Sequence, residues 1–263
     1  MSIPKIIHYC WFGGGEIPER DQKCIASWKK YCPDYELIQW NEDNYDVTQI
    51  PYTKEAYLAG RWAFVSDFAR IDLVLRYGGI YMDTDVELIR PLDELLHYGA
   101  YAGVEADSNC INFGLGYGAE PGHPLLRELC DHYKTLEFQN EDGSLNLTPN
   151  PIIVTEYLKK RKDVHVVPGE IREAEGLTLL PSEYLCPQNF TTGKTVLTDK
   201  TFSVHHYHAS WQTAEEIAMQ QEYRKFTRLF GERLGELMYH GCKTFKEKGI
   251  VCTFMKIVRR RKR

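Results

Sequence analysis

The hydrophobic pattern of the chain predicts strands that alternate with helices. Residues 3–9 form a short apolar run typical of a buried strand, and apolar residues at helical spacing follow from residue 19. Further strands are predicted at 35–40, 80–82, 100–104, 111–116, 164–167 and 202–207, and helices at 19–31, 54–58, 64–77, 123–138, 149–160 and 214–239. This order favours an α/β sandwich with a mostly parallel central sheet, in which ligands collect at the carboxyl ends of the strands.

The segment 64–90 carries the strongest indication of chemistry. An apolar stripe at helical spacing ends at Gly78 and Gly79, and a short strand leads from there to Asp83 and Asp85. A strand that ends in Asp-x-Asp can offer hard oxygen ligands to a divalent cation, and such a cation can hold a diphosphate. On an ideal strand the two carboxylates lie roughly 6.5 Å apart. Only one of them is then expected to bind the ion directly, unless the chain turns.

Composition bounds the class of protein. With 263 residues, 43% of them hydrophobic, the chain is long enough for one packed domain and an appendage. No apolar run of about 18 residues predicts a membrane span, and no basic segment leads into a long apolar run, so no secretion signal is expected. The eight cysteines include no C-x-x-C pair, which excludes zinc-ribbon and thioredoxin-like sites and favours reduced thiols in a cytosol.

Three separated motifs resemble one known family. S-D-x-x-R at 66–70 followed by G-G-I-Y-x-D-x-D at 78–85 resembles the DXD sugar transferases, glycosyltransferase family thirty-two. The opening IPKIIHYCWFGG resembles the first strand of that family, and VHHYHASW at 204–211 resembles its closing element. The family includes yeast initiating mannosyltransferases, bacterial capsule and lipopolysaccharide transferases, and relatives of glucosylating-toxin catalytic domains. The resemblance implies a GT-A-like nucleotide-sugar-binding fold and a bound Mn²⁺ or Mg²⁺.

The resemblance assigns roles to the residues of the central motif. Asp85 is expected to be the closer metal ligand, and Asp83 to contact the ribose and the ion. Asp67 is expected to bind hydroxyls of the donor, and Arg70 to pair with it or to touch sugar and phosphate. Tyr81 shares the face of the two later aspartates, where the family has a donor contact.

Other positions are matched outside this motif. Trp11 is expected to stack on the uracil ring, and His8 either lies in the same pocket or is structural. Asn112 matches an asparagine near the transferred sugar. Ser210 and Trp211 are expected to reach the diphosphate oxygens as the chain closes over the donor.

A late histidine completes the metal shell in related transferases. His205, His206 and His208 are candidates from their positions in the closing element. Strand alternation places His206 and His208 on one face and His205 on the other, so the three cannot all bind one ion. The choice between His205 and His206 stays open at this point.

The C-terminal end differs in charge from the rest of the chain. Residues 241–263 hold nine Lys or Arg and one Glu, a net charge of +8, whereas the other 240 residues carry a net −13. We therefore expect a catalytic domain at 1–212 and a helical extension with a basic tail at 213–263. An apolar segment before the cations suits a peripheral anchor on anionic lipid at the inner face of the membrane. No nucleic-acid-binding motif accompanies the charge.

The resemblance predicts a retaining hexosyltransferase. The donor is a nucleoside-diphosphate sugar, expected to be UDP-linked, and the acceptor is a glycan or lipid-linked saccharide of a bacterial surface polysaccharide. No carboxylate nucleophile is evident, so front-face attack with the leaving phosphate as base is expected. Two alternatives remain. DTDVE also resembles the nucleophile motif of haloacid-dehalogenase-type phosphatases, although that motif ordinarily ends the first strand, and a non-catalytic sugar-binding module would bind glycan without nucleotide.

Overall fold

The computed structural model describes residues 2–162, 164–208, 214–231, 233–240 and 242. The chain divides into two compact units, Met1–Gln188 with Thr195–Trp211, and Asn189–Lys194 with Gln212–Arg263. The strands are β1 Ile6–Cys10, β2 Glu36–Trp40, β3 Gly79–Tyr81, β4 Val86–Leu88, β5 Ala100–Val104, β6 Ile111–Asn112, β7 Tyr117–Ala119, β8 Arg172–Ala174, β9 Leu177–Leu180 and β10 Ser203–His205. The helices are α1 Glu19–Tyr31, α2 Pro51–Leu58, α3 Trp62–Tyr77, α4 Pro124–Tyr133, α5 Asn150–Lys162, α6 Ser182–Leu185 and α7 Ala214–Phe230.

The central sheet confirms the predicted α/β class. Its strand order is β2-β1-β3-β7-β5-β9-β8, and β6 pairs with β5. Strands β2, β1, β3, β5 and β9 run in one direction, whereas β6, β7 and β8 run in the other. The carboxyl ends of β1, β3 and β5 therefore lie at the same edge. Strands β4 and β10 form a separate antiparallel pair.

Two apolar clusters pack on the sheet. Residues of α2, α3, α4 and α5 form the first cluster, and residues of α1 and α6 belong to the second. Alternation along β3 divides its side chains between them, because Ile80 joins the second cluster and Tyr81 the first. Burial on both faces fixes the register of β3, since a slip by one residue would exchange these side chains.

Several predicted elements differ from the structure. The strand predicted at 164–167 is irregular, and Pro168 follows it. The strand that pairs with β5 after residue 164 is β9, and β9 forms a hairpin with β8. Two positive-φ residues, Glu175 at 55° and Gly176 at 77°, make the turn of that hairpin. Because Glu-Gly is not among the favoured turn pairs, these strands could not be predicted from the turn between them.

The remaining differences concern where elements end. The strand predicted at 111–116 ends at Asn112, and the helix predicted at 123–138 ends at Tyr133. The helix predicted at 214–239 is broken at Gly231, whose φ of 76° stops α7 before a second helical stretch at 233–240. No helix among the described residues is both long and apolar enough to span a bilayer. The basic tail lies almost wholly outside the described residues.

Candidate metal and diphosphate site

The chain turns directly after β3, so the two aspartates do not lie on an extended strand. Strand β3 ends at Tyr81, and the Val86 amide donates to the Asp83 carbonyl over 3.1 Å. The Asp83 amide donates to the Gly114 carbonyl over 3.0 Å, which ties the turn to the segment after β6. The turn removes the separation expected for an ideal strand and brings Asp83 and Asp85 close enough to face one point.

One histidine completes this cluster. Ligand atoms of Asp83, Asp85 and His205 all lie within 4.8 Å of one another, and no other such group of three occurs among the described residues. His205 ends β10, whose pairing with β4 places it opposite Val86, one residue past Asp85. Its Nε2 lies 3.1 Å from Asp85 Oδ1. The antiparallel pair β4–β10 therefore carries the third ligand to the turn from about 120 residues away in sequence.

The electrostatics of Asp85 and His205 are coupled. Burial by itself raises the pKa of Asp85, but the charge and hydrogen bond of His205 and the amide of His208 lower the net pKa well below its usual range. Burial lowers the pKa of His205, but the negative charge and hydrogen bond of Asp85 outweigh it, and the net shift is upward. Both shifts have the same main opposing cause to burial, the contact between His205 Nε2 and Asp85 Oδ1.

The residues present fit a divalent cation. Two carboxylates and one imidazole nitrogen are common ligands of first-row divalent ions, and an imidazole suits Mn²⁺ better than Mg²⁺, which prefers oxygen. The second ring nitrogen of His205, Nδ1, is buried and has no hydrogen-bond partner among the described residues. His205 is therefore not committed to a structural hydrogen bond through that nitrogen.

His206 is not part of the cluster, which corrects one of the two metal-ligand predictions. Its Nε2 lies 2.8 Å from Glu87 Oε2, on the other face of the strand. His208 Nδ1 bonds the buried carboxylate of Asp21, while the His208 amide donates to Asp85 Oδ2 over 2.8 Å. Alternation of side chains separates His205 from His206, and the pairing of β10 with β4 puts His205 on the side of Asp85. Asp21 was not among the predicted site residues, since nothing in the sequence of α1 links it to residue 208.

Arg70 holds the other side of the turn. Its Nη2 lies 3.0 Å from Asp67 Oδ1 and 3.2 Å from Asp83 Oδ1. Arg70 and Asp67 are buried, and Asp83 is partly buried. The Tyr81 hydroxyl donates to Asp83 Oδ1 over 3.1 Å, and the Arg70 guanidinium lies 5.1 Å from the centre of the Tyr81 ring. The structure therefore brings together the four residues predicted from the S-D-x-x-R and Y-x-D motifs.

Asp67 has a further partner that sequence reasoning missed. The backbone amide of Asn150, at the start of α5, donates to Asp67 Oδ2 over 3.1 Å. The Asn150 side chain donates to the Asp67 carbonyl over 3.2 Å and to the Tyr133 hydroxyl over 3.0 Å. Burial raises the pKa of Asp67 to about 6, against the opposing effect of Arg70. Nothing in the sequence of residues 148–151 links this position to Asp67.

Asn112 and Gly114 connect this cluster to β5 and β6. Asn112 is buried on β6, and its Oδ1 accepts the Gly114 amide over 2.6 Å. A Cβ atom at Gly114 would lie 2.0 Å from Asp83 Oδ2. Only a glycine therefore allows the Asp83 carboxylate to lie against this backbone.

The two predicted residues of β1 differ in their surroundings. His8 is fully buried, its Nδ1 accepts the indole N–H of Trp40 over 3.1 Å, and its Nε2 lies 2.9 Å from the Gly78 carbonyl. Both ring nitrogens are engaged, which favours the structural alternative for His8. Trp11 is half-exposed at the end of β1, and its indole N–H donates to the Gly15 carbonyl over 2.7 Å. Ser210 and Trp211 lie outside the described residues.

Comparisons with known proteins identify one family model that matches part of the chain. Residues 18–101 match the family described as the glycosyltransferase sugar-binding region containing the DXD motif. The matched range includes Asp67, Arg70, Asp83 and Asp85.

Individual relatives are similar over part of their length. Inositol phosphoceramide mannosyltransferase 3 of Schizosaccharomyces pombe is 34% identical over 132 residues, which cover 49% of this chain and 36% of that protein. Human alpha-1,4-N-acetylglucosaminyltransferase is 32% identical over 167 residues, covering 62% of this chain and 41% of the relative. Among solved structures, the PaToxG glycosyltransferase aligns with a TM-score of 0.46 and 18% identity, covering 60% of this chain and 69% of that one. The fission-yeast and human relatives are matched over only 36% and 41% of their own length, so the chain spans well under half of each.

Proposed function

We propose that this protein is a metal-dependent glycosyltransferase that moves a hexose from a nucleoside-diphosphate sugar to a glycan acceptor. The observation that carries the proposal is that ligand atoms of Asp83, Asp85 and His205 all lie within 4.8 Å of one another. Asp83 and Asp85 lie on a turn inside the matched region, residues 18–101, and β10 brings His205 to that turn. Such a ligand set leaves coordination positions open for phosphate oxygens and water. The residues around it supply the remaining contacts that a nucleotide sugar needs.

Asp83, Asp85 and His205 would hold Mn²⁺ or Mg²⁺. When bound, the cation neutralises the negative charge that develops on the departing diphosphate as the glycosidic bond breaks. Arg70 and Tyr81 orient Asp83 through their contacts with its Oδ1. Because both contacts come from buried side chains, Asp83 keeps one position before the ligand arrives.

The donor is expected to lie along the carboxyl ends of β1 and β3. Trp11 would stack on the nucleobase, expected to be uracil, and Asp67 and Arg70 would contact hydroxyls and phosphate. Asn112 would face the transferred sugar from the neighbouring strand. Ser210 and Trp211 would close over the diphosphate. The expected stereochemical outcome is retention, by front-face attack with the leaving phosphate as base.

The acceptor is proposed to be a glycan or lipid-linked saccharide. The fission-yeast relative is named for inositol phosphoceramide, which is itself a lipid carrying a polyol head group. A role in bacterial surface polysaccharide synthesis stays a prediction from the family resemblance, since the two relatives described above are eukaryotic. The basic tail within 241–263 would bind anionic lipid and hold the enzyme at the cytoplasmic face of the membrane.

The direct test is metal-dependent hydrolysis across a panel of nucleotide sugars. Asp85→Ala should abolish turnover with every donor while circular dichroism shows an intact fold. Asp131→Ala is the matched control, because Asp131 forms an exposed ion pair with Lys134 and lies outside the site. Turnover in Asp85→Ala equal to that of wild type would remove the central claim.

The same assay separates the two alternatives. A haloacid-dehalogenase-type phosphatase would release phosphate from simple phosphate esters, and it would need Asp83 as nucleophile. Asp83 Oδ1 instead bonds Arg70 and Tyr81. A non-catalytic sugar-binding module would bind glycan equally well with or without metal and nucleotide. For the tail, truncation after Gly249 should weaken binding to anionic vesicles at low salt, and equal binding would exclude the anchor.

A further inference from the structure

A carboxylate that no sequence motif identified, Glu105, lies at the same sheet edge as the metal-binding turn. It follows β5 directly and is half-buried. Strands β3 and β5 run in the same direction on either side of β7. Their carboxyl ends are therefore separated by two strand spacings, about 9–10 Å. Glu105 thus faces the edge from which the turn of Asp83 and Asp85 projects.

The Glu105 carboxylate is held in place by neutral donors. Asn112 Nδ2 donates to Oε1 over 2.8 Å, and the Ser108 hydroxyl donates to Oε2 over 2.5 Å. The Glu105 amide donates to the Cys110 carbonyl over 2.9 Å, which closes the loop around it. Among the described residues, no lysine or arginine forms an ion pair with this carboxylate. A half-buried, oriented and uncompensated carboxylate retains capacity to accept hydrogen bonds from a ligand.

A continuous hydrogen-bonded path links Glu105 to the metal-binding turn. From Glu105, the path runs through the Asn112 side chain, whose Oδ1 accepts the Gly114 amide over 2.6 Å. The Gly114 carbonyl then accepts the Asp83 amide over 3.0 Å. Glu105 is therefore connected to the metal-binding turn through Asn112 and Gly114.

We propose that Glu105 and Ser108 form the acceptor subsite, in which the Glu105 carboxylate accepts hydrogen bonds from hydroxyls of an incoming saccharide. This inference rests on the proposed function. A carboxylate with two oxygens suits a vicinal diol, because each oxygen can accept one hydroxyl proton. The role is binding and orientation of the acceptor.

The position of Glu105 favours the acceptor over the donor. Among the predicted donor contacts, Trp11 directly follows β1, and Asp67 and Arg70 lie on α3. Glu105 follows β5, which is separated from β1 by β3 and β7 in the sheet. Asn112, expected beside the transferred sugar, lies between these donor contacts and Glu105. The loop 106–109 is exposed to solvent, which leaves room for a large acceptor on that side.

The test compares transfer with hydrolysis in Glu105→Gln. Wild type and variant are incubated with Mn²⁺, the donor that wild type hydrolyses, and the methyl glycosides of glucose, galactose and mannose. Sugar released to water and sugar transferred to glycoside are measured together. Glutamine keeps one acceptor oxygen for Asn112, and its Nε2 can donate to the Ser108 hydroxyl oxygen in place of the bond that Ser108 donates in wild type. The charge is removed while both partners stay bonded, so the loop should stay folded. Glu128→Gln, a charge change in the middle of α4 at the ion pair with Lys162, is the control outside the site.

The ratio of transfer to hydrolysis should fall about 10-fold or more in Glu105→Gln, the loss expected for hydrogen bonds to a charged acceptor. Hydrolysis and the affinity for the nucleoside diphosphate should stay within about 2-fold, a margin below the effect of one hydrogen bond. An unchanged ratio would overturn the acceptor role, as would a wild type that transfers to none of the three glycosides. Loss of nucleotide affinity in the variant would place Glu105 in the donor site instead. If wild type hydrolyses none of the nucleotide sugars, the result would contradict the proposed function itself.

Discussion

Gly114→Ala tests the proposed metal site directly, because it adds one carbon atom next to the carboxylate of Asp83, a proposed ligand. The added Cβ would lie 2.0 Å from Asp83 Oδ2, whereas real Cβ contacts are essentially never shorter than 3.0 Å. The carboxylate must therefore move by at least about 1 Å. Gly114 is not among the residues with positive φ, so its backbone accepts alanine without strain.

The displacement of the Asp83 carboxylate should change the site while the rest of the fold stays as it is. Asp83 Oδ1 lies 3.1 Å from the Tyr81 hydroxyl and 3.2 Å from Arg70, so a shift of that size breaks both contacts. Changes that misplace a metal ligand typically cost about 10- to 100-fold in metal affinity. We expect Mn²⁺ affinity, measured by isothermal titration calorimetry, to fall by that factor while the melting temperature changes little.

Gly99→Ala is the matched control for this prediction. A Cβ at Gly99 would meet no atom within 4 Å, and its φ is not positive, so this variant should bind Mn²⁺ like wild type. If Gly114→Ala is folded and binds Mn²⁺ with wild-type affinity, then either Asp83 is not a ligand or the turn adapts freely. Either result would contradict the reasoning that the backbone of Gly114 positions this carboxylate.

Three further predictions address other parts of the site. His205→Ala should lower Mn²⁺ affinity at least about 10-fold, whereas His206→Ala should not, and equal losses would contradict the selection of His205. Asn150→Ala removes two buried side-chain hydrogen bonds, keeps the backbone amide that bonds Asp67, and should cost about 1–3 kcal/mol in urea unfolding; an unchanged midpoint would refute this. Burial lowers the pKa of His8, so its stabilisation should be intact above about pH 6.5 and lost as the pH falls further. The difference in unfolding free energy between wild type and His8→Gln should shrink from pH 7.5 to 5.5 by up to about 1 kcal/mol, and a constant difference would argue against a neutral His8.

The sequence predicted the fold class because periodicity reports burial. Strand β3 reads as a strand since both of its faces are covered, and α3 reads as a helix because its apolar stripe ends at Gly78. The hairpin β8–β9 was missed since its turn, Glu175-Gly176, lacks a favoured pair. The prediction of a strand at 164–167 was wrong, because a short apolar run indicates that a segment is buried but does not indicate that it pairs with another strand.

The residues of the site likewise divide into those that local sequence motifs predict and those that only the fold brings together. Asp67, Arg70, Asp83 and Asp85 could be predicted from local motifs, although the turn that makes the last two converge could not. The choice of His205 needed the pairing of β10 with β4, which no local pattern encodes. The partners Asp21, Asn150, Glu105 and Gly114 are each brought in by another part of the fold. Sequence spacing carries no information on such contacts, so they required the structure.

The charges of the site explain why these partners matter. Four carboxylates, Asp67, Asp83, Asp85 and Glu105, surround one guanidinium and one imidazole, so the site is negative overall at neutral pH. A diphosphate would be repelled by such a surface unless a divalent cation entered with it. Arg70 alone cannot supply the missing charge, because its Nη2 already lies between two of the carboxylates. Metal and nucleotide should therefore each raise the affinity of the other by the same factor, as linkage requires. On this account the acidic character that would weaken a simple anion site is what makes donor binding depend on the cation.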